Sequence, residues 1–326
     1  MRIKKILLLC RTGKNYGIGH LSRVLRVSKY FQDKNIAFKI LIVGPEIDRN
    51  ELDKYQYTFY PETSNISDIL LEEVREKYYD LIIFDFNPGE ENFSKTLDEI
   101  RGLNIKLIAI DSFFSYCQKF ELIWSPSFIK PIVKEECVDK IKFGWDKYFL
   151  NKIEHTKEWK PGNSILVLTG GSDVKNLIQI LPKLLIKNFP NHTIKYVVGP
   201  YTKKPKLDFL NETNFQFVTA PQSLDSLIAE SNYIVTNYGI SFYECVYQNK
   251  PSCLLVSDTD ICADELNMLN QLEITLVTKS IDLLISQLNK LITNDNLSLK
   301  LSNKTKNLLK DGSEKFVNKA IEILER

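Results

Sequence analysis

The stretch Gly17-Ile18-Gly19-His20-Leu21-Ser22-Arg23 joins an apolar run to a segment with helical spacing of apolar residues. The run 6–10 predicts a buried first β-strand, and from Leu21 onward apolar residues recur at the intervals of an amphipathic helix. A strand, a glycine loop and a helix N-terminus favour anion binding, because backbone N–H groups and the positive end of the helix dipole face the loop. We therefore expect a ligand site directly after the first strand.

The residue types of this stretch suit such a site. Gly17 and Gly19 let the backbone approach a ligand closely. His20 can exchange a proton near neutral pH, and Arg23, one helical turn later, can hold an anion. The stretch lacks the full dinucleotide pattern Gly-x-Gly-x-x-Gly and the phosphate-loop ending Gly-Lys-Ser/Thr. Taken alone, it is therefore explained as well by a tight turn with a capping histidine.

Composition is that of a globular chain. Its 326 residues suggest about two domains, and a hydrophobic fraction of 44% is enough for a sizeable core. With 43 basic and 41 acidic residues the net charge is +2, which gives no electrostatic footprint for nucleic acid. The basic cluster Lys203, Lys204 and Lys206 is interpreted as a solvated loop.

The six cysteines contain no Cys-x-x-Cys pair and no Cys/His metal spacing. Several lie in apolar contexts, where a free thiol behaves as a small hydrophobe. Residues 1–10 imitate a lipoprotein signal, but their apolar stretch is shorter than the roughly 7–15 residues of a signal core. No run reaches the roughly 18 apolar residues of a membrane span. We therefore expect a cytoplasmic protein without an integral membrane segment.

The first half alternates strand and helix patterns, with strands predicted at 3–9, 38–43, 81–84, 106–110 and 122–124 and helices at 20–33, 66–78 and 92–102. Continuous apolar strands separated by amphipathic helices indicate a parallel sheet covered on both faces. Ligands of such sheets bind outside the carboxyl ends of the strands. Asp85 and Asp111 each follow a predicted strand, so each is either a carboxylate of the site or a cap.

Residues 125–162 carry several prolines and are interpreted as the crossing between two domains. The alternation then restarts, with strands predicted at 165–169, 195–198, 215–218, 233–236, 252–256 and 274–277. A helix bent at Pro182 is expected to follow the first of these strands. Further helices are predicted at 223–230, 240–248, 264–272, 280–293, 296–310 and 314–325.

Two stretches of the second half repeat the strand–loop–helix pattern. Gly170-Gly171-Ser172-Asp173 can cradle a phosphate with backbone N–H groups, or its Ser or Asp can cap a helix. In Asn237-Tyr238-Gly239-Ile240-Ser241-Phe242-Tyr243-Glu244, the glutamate can accept both hydroxyls of a ribose while Gly239 and Ser241 line phosphates. The alternative for Glu244 is a surface glutamate on an amphipathic helix.

Together these motifs resemble a known group of enzymes. Gly17-x-Gly19-His20-x-x-Arg23, Gly170-Gly171-Ser172-Asp173 and Gly239-x-Ser241-x-Tyr243-Glu244, followed by Pro251, stand in the order of the PseG/SpsG group. That group comprises the UDP-sugar hydrolases of pseudaminic acid synthesis and their spore-coat polysaccharide relatives. It belongs to the glycosyltransferase-B (GT-B) superfamily and is similar in its second half to MurG. The resemblance covers most of the chain and includes 80–85, 107–111 and 144–150.

The resemblance implies an α/β fold of two Rossmann-like domains facing each other across a cleft, with the last helix crossing back to the first domain. The implied bounds are 1–150 for a domain carrying His20 and the sugar or acceptor side, 151–312 for a nucleotide-binding domain, and 313–326 for the final helix.

The resemblance also implies a reaction, the hydrolysis of a UDP-sugar in bacterial surface-glycan or nonulosonic acid synthesis, without cofactor or metal. His20 would be the catalytic base that activates water against the anomeric carbon. The sugar or phosphate would contact Gly17, Gly19, Arg23, Asp85 and Asp111. The nucleotide would contact Gly170, Gly171, Ser172, Asn237, Gly239, Ser241, Glu244 and Asn267.

Three departures from the family pattern bear on the substrate. Ser112 stands where the family has a second aspartate, and Phe86 where a histidine often follows Asp85. The Asn-Gln pair expected after Pro251 is missing, and Asn267 is a candidate substitute. Two alternatives therefore remain open. One is a GT-B glycosyltransferase with a glycan or lipid-linked acceptor, which would imply peripheral membrane contact; the other is a non-catalytic nucleotide-sugar-binding protein.

Overall fold

The computed structural model describes residues 4–89, 91–151, 153, 158–203, 213–257, 259 and 261–326. The chain forms two compact units. The first comprises Met1–Asn151 and Lys310–Arg326, and the second comprises Lys152–Leu309. Lys204 and Lys206 of the predicted basic loop lie outside the described residues.

The first unit contains a parallel sheet of seven strands, flanked by helices. The strands are β1 (Lys5–Arg11), β2 (Ala37–Val43), β3 (Tyr57–Tyr60), β4 (Leu81–Asp85), β5 (Lys106–Ile110), β6 (Leu122–Ser125) and β7 (Ile141–Phe143). They are arranged in the order β3-β2-β1-β4-β5-β6-β7, so the order reverses between β1 and β4. The intervening helices are α1 (Gly19–Asp33), α2 (Ile66–Glu76) and α3 (Ser94–Gly102).

The second unit repeats this plan with six parallel strands. They are β8 (Ser164–Leu168), β9 (Thr193–Val198), β10 (Phe215–Thr219), β11 (Tyr233–Asn237), β12 (Ser252–Leu255) and β13 (Leu276–Thr278), in the order β10-β9-β8-β11-β12-β13. Its helices are α4 (Leu181–Asn188), α5 (Asp225–Glu230), α6 (Ile240–Tyr247), α7 (Ala263–Leu272), α8 (Ile281–Thr293) and α9 (Asp295–Thr305). Both sheets thus have the doubly wound Rossmann-like form that the alternating pattern predicts.

The last helix, α10 (Ser313–Glu325), packs on the first unit. Phe316 lies with its ring centroid 5.5 Å from Trp124 and 5.2 Å from Phe149. Asp311, just before the helix, accepts hydrogen bonds from the Leu150 backbone N–H at 3.1 Å and from the Tyr30 hydroxyl at 3.0 Å. The expectation that the last helix returns to the first domain is confirmed.

Strand β1 explains why the first sheet is covered on both faces. Its residues from Ile6 to Cys10 are all fully buried. Leu7 and Leu9 enter one hydrophobic core with α2 and α3, whereas Ile6, Leu8 and Cys10 enter another with α1 and α10. Burying each large aliphatic side chain stabilises the fold by about 1.5–3 kcal/mol relative to exposure. Only a strand apolar on both faces can supply two cores, which is why the run is continuous rather than alternating.

Two strands of the first sheet escape sequence prediction. β3 and β7 are its two edges, and most of their residues are only partly buried or exposed. Their sequences therefore lack the continuous apolar run by which central strands are recognised. Because β7 and the chain through Asn151 belong to the first unit, most of the segment interpreted as a crossing is part of that unit.

The helix expected after Asp173 begins later than predicted. Asp173 and Asn176 have φ values of 44° and 52°, so the chain turns there, and a short 3₁₀ helix at 177–179 precedes α4. Pro182 lies in the first turn of α4, where a missing N–H removes no hydrogen bond. The expected bend at Pro182 is therefore wrong.

Cys117 and Cys137 form a disulfide, whereas Cys10, Cys245, Cys253 and Cys262 are free. Two short 3₁₀ segments of the first unit bring their Cα atoms to 5.8 Å, a separation suited to a disulfide. Spacing in the sequence gives no sign of this pair, because the fold alone makes the two segments neighbours. The cysteines therefore give no support for a reducing compartment such as the expected cytoplasm.

Among the described helices, none combines the length and apolar character needed to cross a bilayer.

Candidate functional site

The candidate residues of the first unit meet where its strand order reverses. The loop before α1 follows β1, Asp85 is the last residue of β4, and Asp111 follows β5. These positions share the carboxyl edge of the sheet, and ligands of doubly wound sheets bind at such a reversal. The fold therefore assembles His20, Arg23, Asp85 and Asp111 at the expected edge.

The glycine loop after β1 is closed by its own backbone. The Gly17 N–H donates to the Gly13 carbonyl at 2.7 Å, and the Gly13 N–H donates back at 3.2 Å. Gly17 has a φ of 64°, a conformation that favours glycine. The N-cap residue Ile18 provides no side-chain hydrogen bond to the start of α1. The capping-histidine alternative is thereby removed, because the imidazole of His20 contacts Asp85 instead.

Asp85 holds the imidazole of His20. The Nδ1 atom of His20 lies 2.8 Å from Oδ1 of Asp85, whose side chain is fully buried. Burial raises the pKa of Asp85, but Arg23 and His20 outweigh that effect and leave the pKa below its ordinary value. Nδ1 also lies 2.9 Å from Arg23 Nη2, which can only donate and lies closer, at 2.5 Å, to Oδ1 of Asp85. An ionised carboxylate can only accept a hydrogen bond, so we assign the Nη2 proton to Asp85 and the proton of the His20–Asp85 contact to Nδ1. The remaining nitrogen, Nε2, then carries the lone pair and can act as a base.

Arg23 joins both aspartates to this pair. Its guanidinium donates to Asp85 from Nε at 3.1 Å and from Nη2 at 2.5 Å, and to Asp111 from Nη1 at 3.0 Å. Burial lowers the pKa of Arg23, but the two carboxylates raise it above its ordinary value. Burial raises the pKa of Asp111 above its ordinary value although Arg23 acts in the opposite direction, whereas the pKa of Asp85 stays below its ordinary value. Arg23 therefore compensates the charge of Asp85 in particular.

The two aspartates differ in exposure. Asp85 has no solvent contact, whereas the side chain of Asp111 is 41% exposed. Asp85 can therefore position neighbouring groups, whereas the side chain of Asp111 is accessible from solvent. Asp111 also has a φ of 59°, a conformation that turns the chain directly after β5.

The departures at 86 and 112 contribute little to this edge. Phe86 is fully buried and packs against Phe84, Phe93 and Phe113 at centroid distances of 6.2, 5.7 and 5.3 Å. Ser112 is buried and donates its hydroxyl to the Ile110 carbonyl. Both side chains therefore belong to the interior of the first unit.

The second unit assembles its candidate loops in the same way. Its strand order reverses between β8 and β11, and the stretches 170–173 and 237–241 follow these two strands. The Asn237 side chain donates to the Thr169 carbonyl at 3.3 Å, which ties the two loops together. Gly199 packs against the first loop so closely that a Cβ there would lie 2.4 Å from the Gly171 carbonyl oxygen.

Within the first of these loops, Asp173 has a structural role. Its carboxylate accepts the backbone N–H groups of Leu177 and Ile178 at 3.0 and 2.8 Å. The capping interpretation therefore applies to Asp173. Gly170, with a φ of 86°, and the half-buried Gly171 and Ser172 precede this turn.

Glu244 lies on α6, one turn beyond the half-buried Ser241. It is 6% exposed, so the surface-glutamate alternative is wrong. Gly239 is the N-cap of α6, with a φ of 148° and no side-chain hydrogen bond to the helix start. A buried carboxylate close to an uncapped helix start is suited to a polar ligand rather than to bulk water.

A tyrosine–glutamate contact links this loop to α7. The hydroxyls of Tyr238 and Tyr243 lie 2.8 Å apart, and the Tyr238 hydroxyl donates to Oε1 of Glu265 at 3.0 Å. Glu265 is in the first turn of α7, whereas Asn267, two residues later, is exposed. Sequence analysis missed Tyr238 and Glu265; the tyrosines inside the motif 237–244 were its only signal.

Metal ligation has no evident donor set here. Within the part of the chain that the structure describes, no three His, Cys, Asp or Glu side chains form a group that could hold a metal ion. The acidic groups of the first unit are instead held together by Arg23.

Comparison by sequence yields no assignment, because no family model and no curated protein matches the chain. Comparison by structure yields glycosyltransferases over the whole length. MurG from Acinetobacter baumannii has a TM-score of 0.64 at 13% identity, with 98% of this chain and 99% of MurG covered. The spinosyn forosaminyltransferase SpnP has a TM-score of 0.65 at 8% identity, with both chains fully covered.

A third similar structure is that of Phytolacca americana UGT2 complexed with UDP-2fluoro-glucose and pterostilbene. Its TM-score is 0.62 at 12% identity, with 99% of this chain and 100% of UGT2 covered. The predicted α/β fold of two Rossmann-like domains is therefore confirmed as the fold of GT-B glycosyltransferases. At these identities the likeness establishes the fold.

Proposed function

We propose that this protein is a glycosyltransferase that moves a sugar from a nucleoside diphosphate to the hydroxyl of an acceptor. The observation that carries the proposal is the contact of 2.8 Å between His20 Nδ1 and the buried Asp85, which leaves Nε2 as a base. The GT-B fold supports it, because proteins of similar structure include glycosyltransferases.

In the proposed reaction His20 Nε2 accepts the proton of the acceptor hydroxyl. The acceptor oxygen then forms a bond to the anomeric carbon, and the bond from that carbon to the diphosphate oxygen breaks. The nucleoside diphosphate leaves with the electron pair, and Asp85 stabilises the imidazolium that has formed. A positioned general base of this kind contributes roughly 100- to 10,000-fold to rate.

The second unit would bind the donor. Backbone N–H groups of Gly170, Gly171 and Ser172, together with the uncapped start of α6 at Gly239 and Ser241, suit a diphosphate. The buried carboxylate of Glu244 suits the two hydroxyls of a ribose. We propose UDP as the nucleotide, following the motif resemblance and the UDP-sugar in the UGT2 structure.

In the first unit, Gly17 and Gly19 line the reacting sugar and its phosphate, and Asp111 offers an exposed carboxylate there. We propose that Arg23 acts through Asp85 and Asp111. We also propose that Glu265, through Tyr238, takes the place first considered for Asn267, because it lies nearer the motif 237–244.

A UDP-sugar hydrolase is the second candidate, favoured by the order of the motifs around His20, Gly170 and Gly239. Its chemistry uses the same base, with water in place of the acceptor hydroxyl. A non-catalytic nucleotide-sugar-binding protein is the third, and it would bind UDP without turnover.

One experiment separates the three. Purified protein is incubated with UDP-, GDP-, CMP- and TDP-sugars in water enriched in the heavy oxygen isotope, with and without a panel of glycan and lipid-linked acceptors. Nucleotide release that requires an acceptor, with no heavy oxygen in the sugar, supports the transferase. Release without acceptor, with heavy oxygen at the anomeric carbon, identifies the hydrolase. UDP binding without release in any arm overturns both catalytic proposals.

A further inference from the structure

A basic cavity lies at the opposite edge of the first sheet from His20. It has a volume of about 490 Å³ and reaches from the amino ends of β5 and β6 to β7 and α10. Because the strands are parallel, their amino ends lie at the edge away from Asp85 and Asp111. Its lining residues include Arg101, Lys106, Phe120, Leu122, Lys140 and Lys142.

The lining of the cavity carries a net positive charge. Six basic side chains line it against two acidic ones, Glu121 and Asp139, and one of the six, Lys319, is paired with Glu322 at 2.6 Å, which leaves an excess of three positive charges. Glu121 is already engaged, since its Oε2 accepts the backbone N–H of Leu107 at 2.7 Å. The excess is concentrated in a small volume, although the chain as a whole carries a net charge of only +2.

Three of the lysines are held in place by neutral partners. The ammonium groups of Lys106, Lys140 and Lys142 donate to the carbonyls of Ile323, Gln118 and Asp139 at 2.6, 2.9 and 3.0 Å. Among the described residues, no carboxylate lies within ion-pair distance of these lysines or of Arg101. Backbone carbonyls orient the ammonium groups but carry no formal charge, so the positive charge of these lysines is not balanced by an ion pair.

We propose that this cavity binds a phosphate ester from solution. A volume of about 490 Å³ falls within the range of small-molecule sites. Lysine ammonium groups and an arginine fork are the groups that recognise phosphate oxygens. Phe120, Leu122 and Ile323 supply apolar surface for the organic part of the ligand. The basic groups line a concavity, which fits a small molecule better than a flat lipid surface.

The proposal is tested by calorimetry with inorganic pyrophosphate as the probe, in excess UDP so that any diphosphate site of the second unit is filled. The variant is Arg101→Gln combined with Lys142→Gln; both positions are exposed, so the fold should be unaffected. Lys29→Gln, an exposed lysine of α1, is the matched control. We expect the double variant to bind at least about 10-fold more weakly, with wild-type affinity that falls as salt rises, and the control to be unchanged.

Two outcomes overturn the proposal. One is pyrophosphate affinity that is undetectable in the wild type or equal in the double variant. The other is a wild type that binds phosphatidylglycerol vesicles but not pyrophosphate, with vesicle binding lost in the double variant, which would make the basic groups a membrane contact.

Discussion

Asp85 is a carboxylate without solvent contact that faces one guanidinium and one imidazole. Burying a charge is unfavourable unless a partner compensates it. Arg23 supplies that compensation and at the same time fixes Asp111, so one side chain connects the buried carboxylate with the exposed one. At the residue scale, the orientation of His20 therefore depends on the ion pair between Arg23 and Asp85.

Replacing the carboxylate by an amide tests this orientation. In Asp85→Asn the imidazolium loses its buried counter-charge, so we expect kcat to fall by roughly 100- to 10,000-fold with little change in donor KM. Steady-state kinetics with the donor that the nucleotide-release experiment identifies measures both constants. Asp33→Asn, the same change at the exposed end of α1, should leave both unchanged. A kcat for Asp85→Asn within a factor of about two of wild type would contradict the orienting role.

Removing the guanidinium tests the ion pair. Arg23→Met leaves Asp85 buried without its cation, which should lower the free energy of unfolding by about 3–5 kcal/mol at neutral pH. In the wild type the pKa of Asp85 lies below 3.8, so its stabilising charge is present above that pH and is lost as the pH falls through the lower folded value. In Arg23→Met, burial without the guanidinium raises the pKa of Asp85. Protonation of Asp85 in acid then removes the free-energy cost of burying its charge.

The deficit of Arg23→Met should therefore be largest at neutral pH and shrink as the pH approaches 3.8. Urea unfolding at several pH values measures it. A deficit that stays constant or grows in acid is the result that would refute the pairing.

At the element scale, α10 is tied to the first unit by both packing and charge. Asp146, in the segment after β7, forms ion pairs with Lys147 at 2.6 Å and with Lys315 of α10 at 2.9 Å. Partial burial raises the pKa of Asp146, but the two lysines outweigh that effect and lower it to about 2.

Asp146→Asn should destabilise the protein slightly. Its side chain is 35% exposed, so screening limits the effect to about 1 kcal/mol or less. Since the folded pKa is depressed, this contribution is present above pH 3.8 and disappears as the pH falls to about 2. Chemical unfolding compared with Glu325→Gln, an exposed carboxylate at the end of α10, measures it. Equal stability of the two variants at neutral pH would show that the pairs do not anchor the helix.

The disulfide acts on a second pair of elements, the 3₁₀ segments that contain Cys117 and Cys137. Cross-linking residues separated by 20 positions restricts the unfolded chain and is worth about 3 kcal/mol in the loop-entropy model. Cys117→Ser should lower the free energy of unfolding by about that amount, and a reductant should bring the wild type to the same value. A wild type whose stability is unaffected by reductant would mean that the two thiols are not joined in solution.

At the scale of the whole molecule, the same plan occurs twice. Each sheet reverses its strand order next to its first strand, and in each unit the glycine-bearing loops lie at that reversal. One unit presents an imidazole there, and the other presents backbone N–H groups and a buried carboxylate. This repetition is why a sequence motif after a strand was informative in both halves.

The features that could be predicted are those that short stretches of the sequence determine. The continuous apolar runs of β1 and β8 identify central strands, and the glycines before α1 and α6 mark the loops of the candidate sites. Features that depend on contacts between residues far apart in the chain could not be predicted from the sequence. Neither Asp85 as the partner of His20, nor Tyr238 with Glu265, nor the disulfide follows from spacing, because only the sheet order brings these residues together.

The most direct test of the central claim measures UDP binding and nucleotide release on the same preparations of His20→Ala and Glu244→Gln. The account predicts that His20→Ala binds UDP as the wild type does and releases nucleotide at least about 100-fold more slowly. Glu244→Gln should instead bind UDP about 10-fold more weakly, because a hydrogen bond to a charged group is lost. Release at the wild-type rate by His20→Ala would contradict the account.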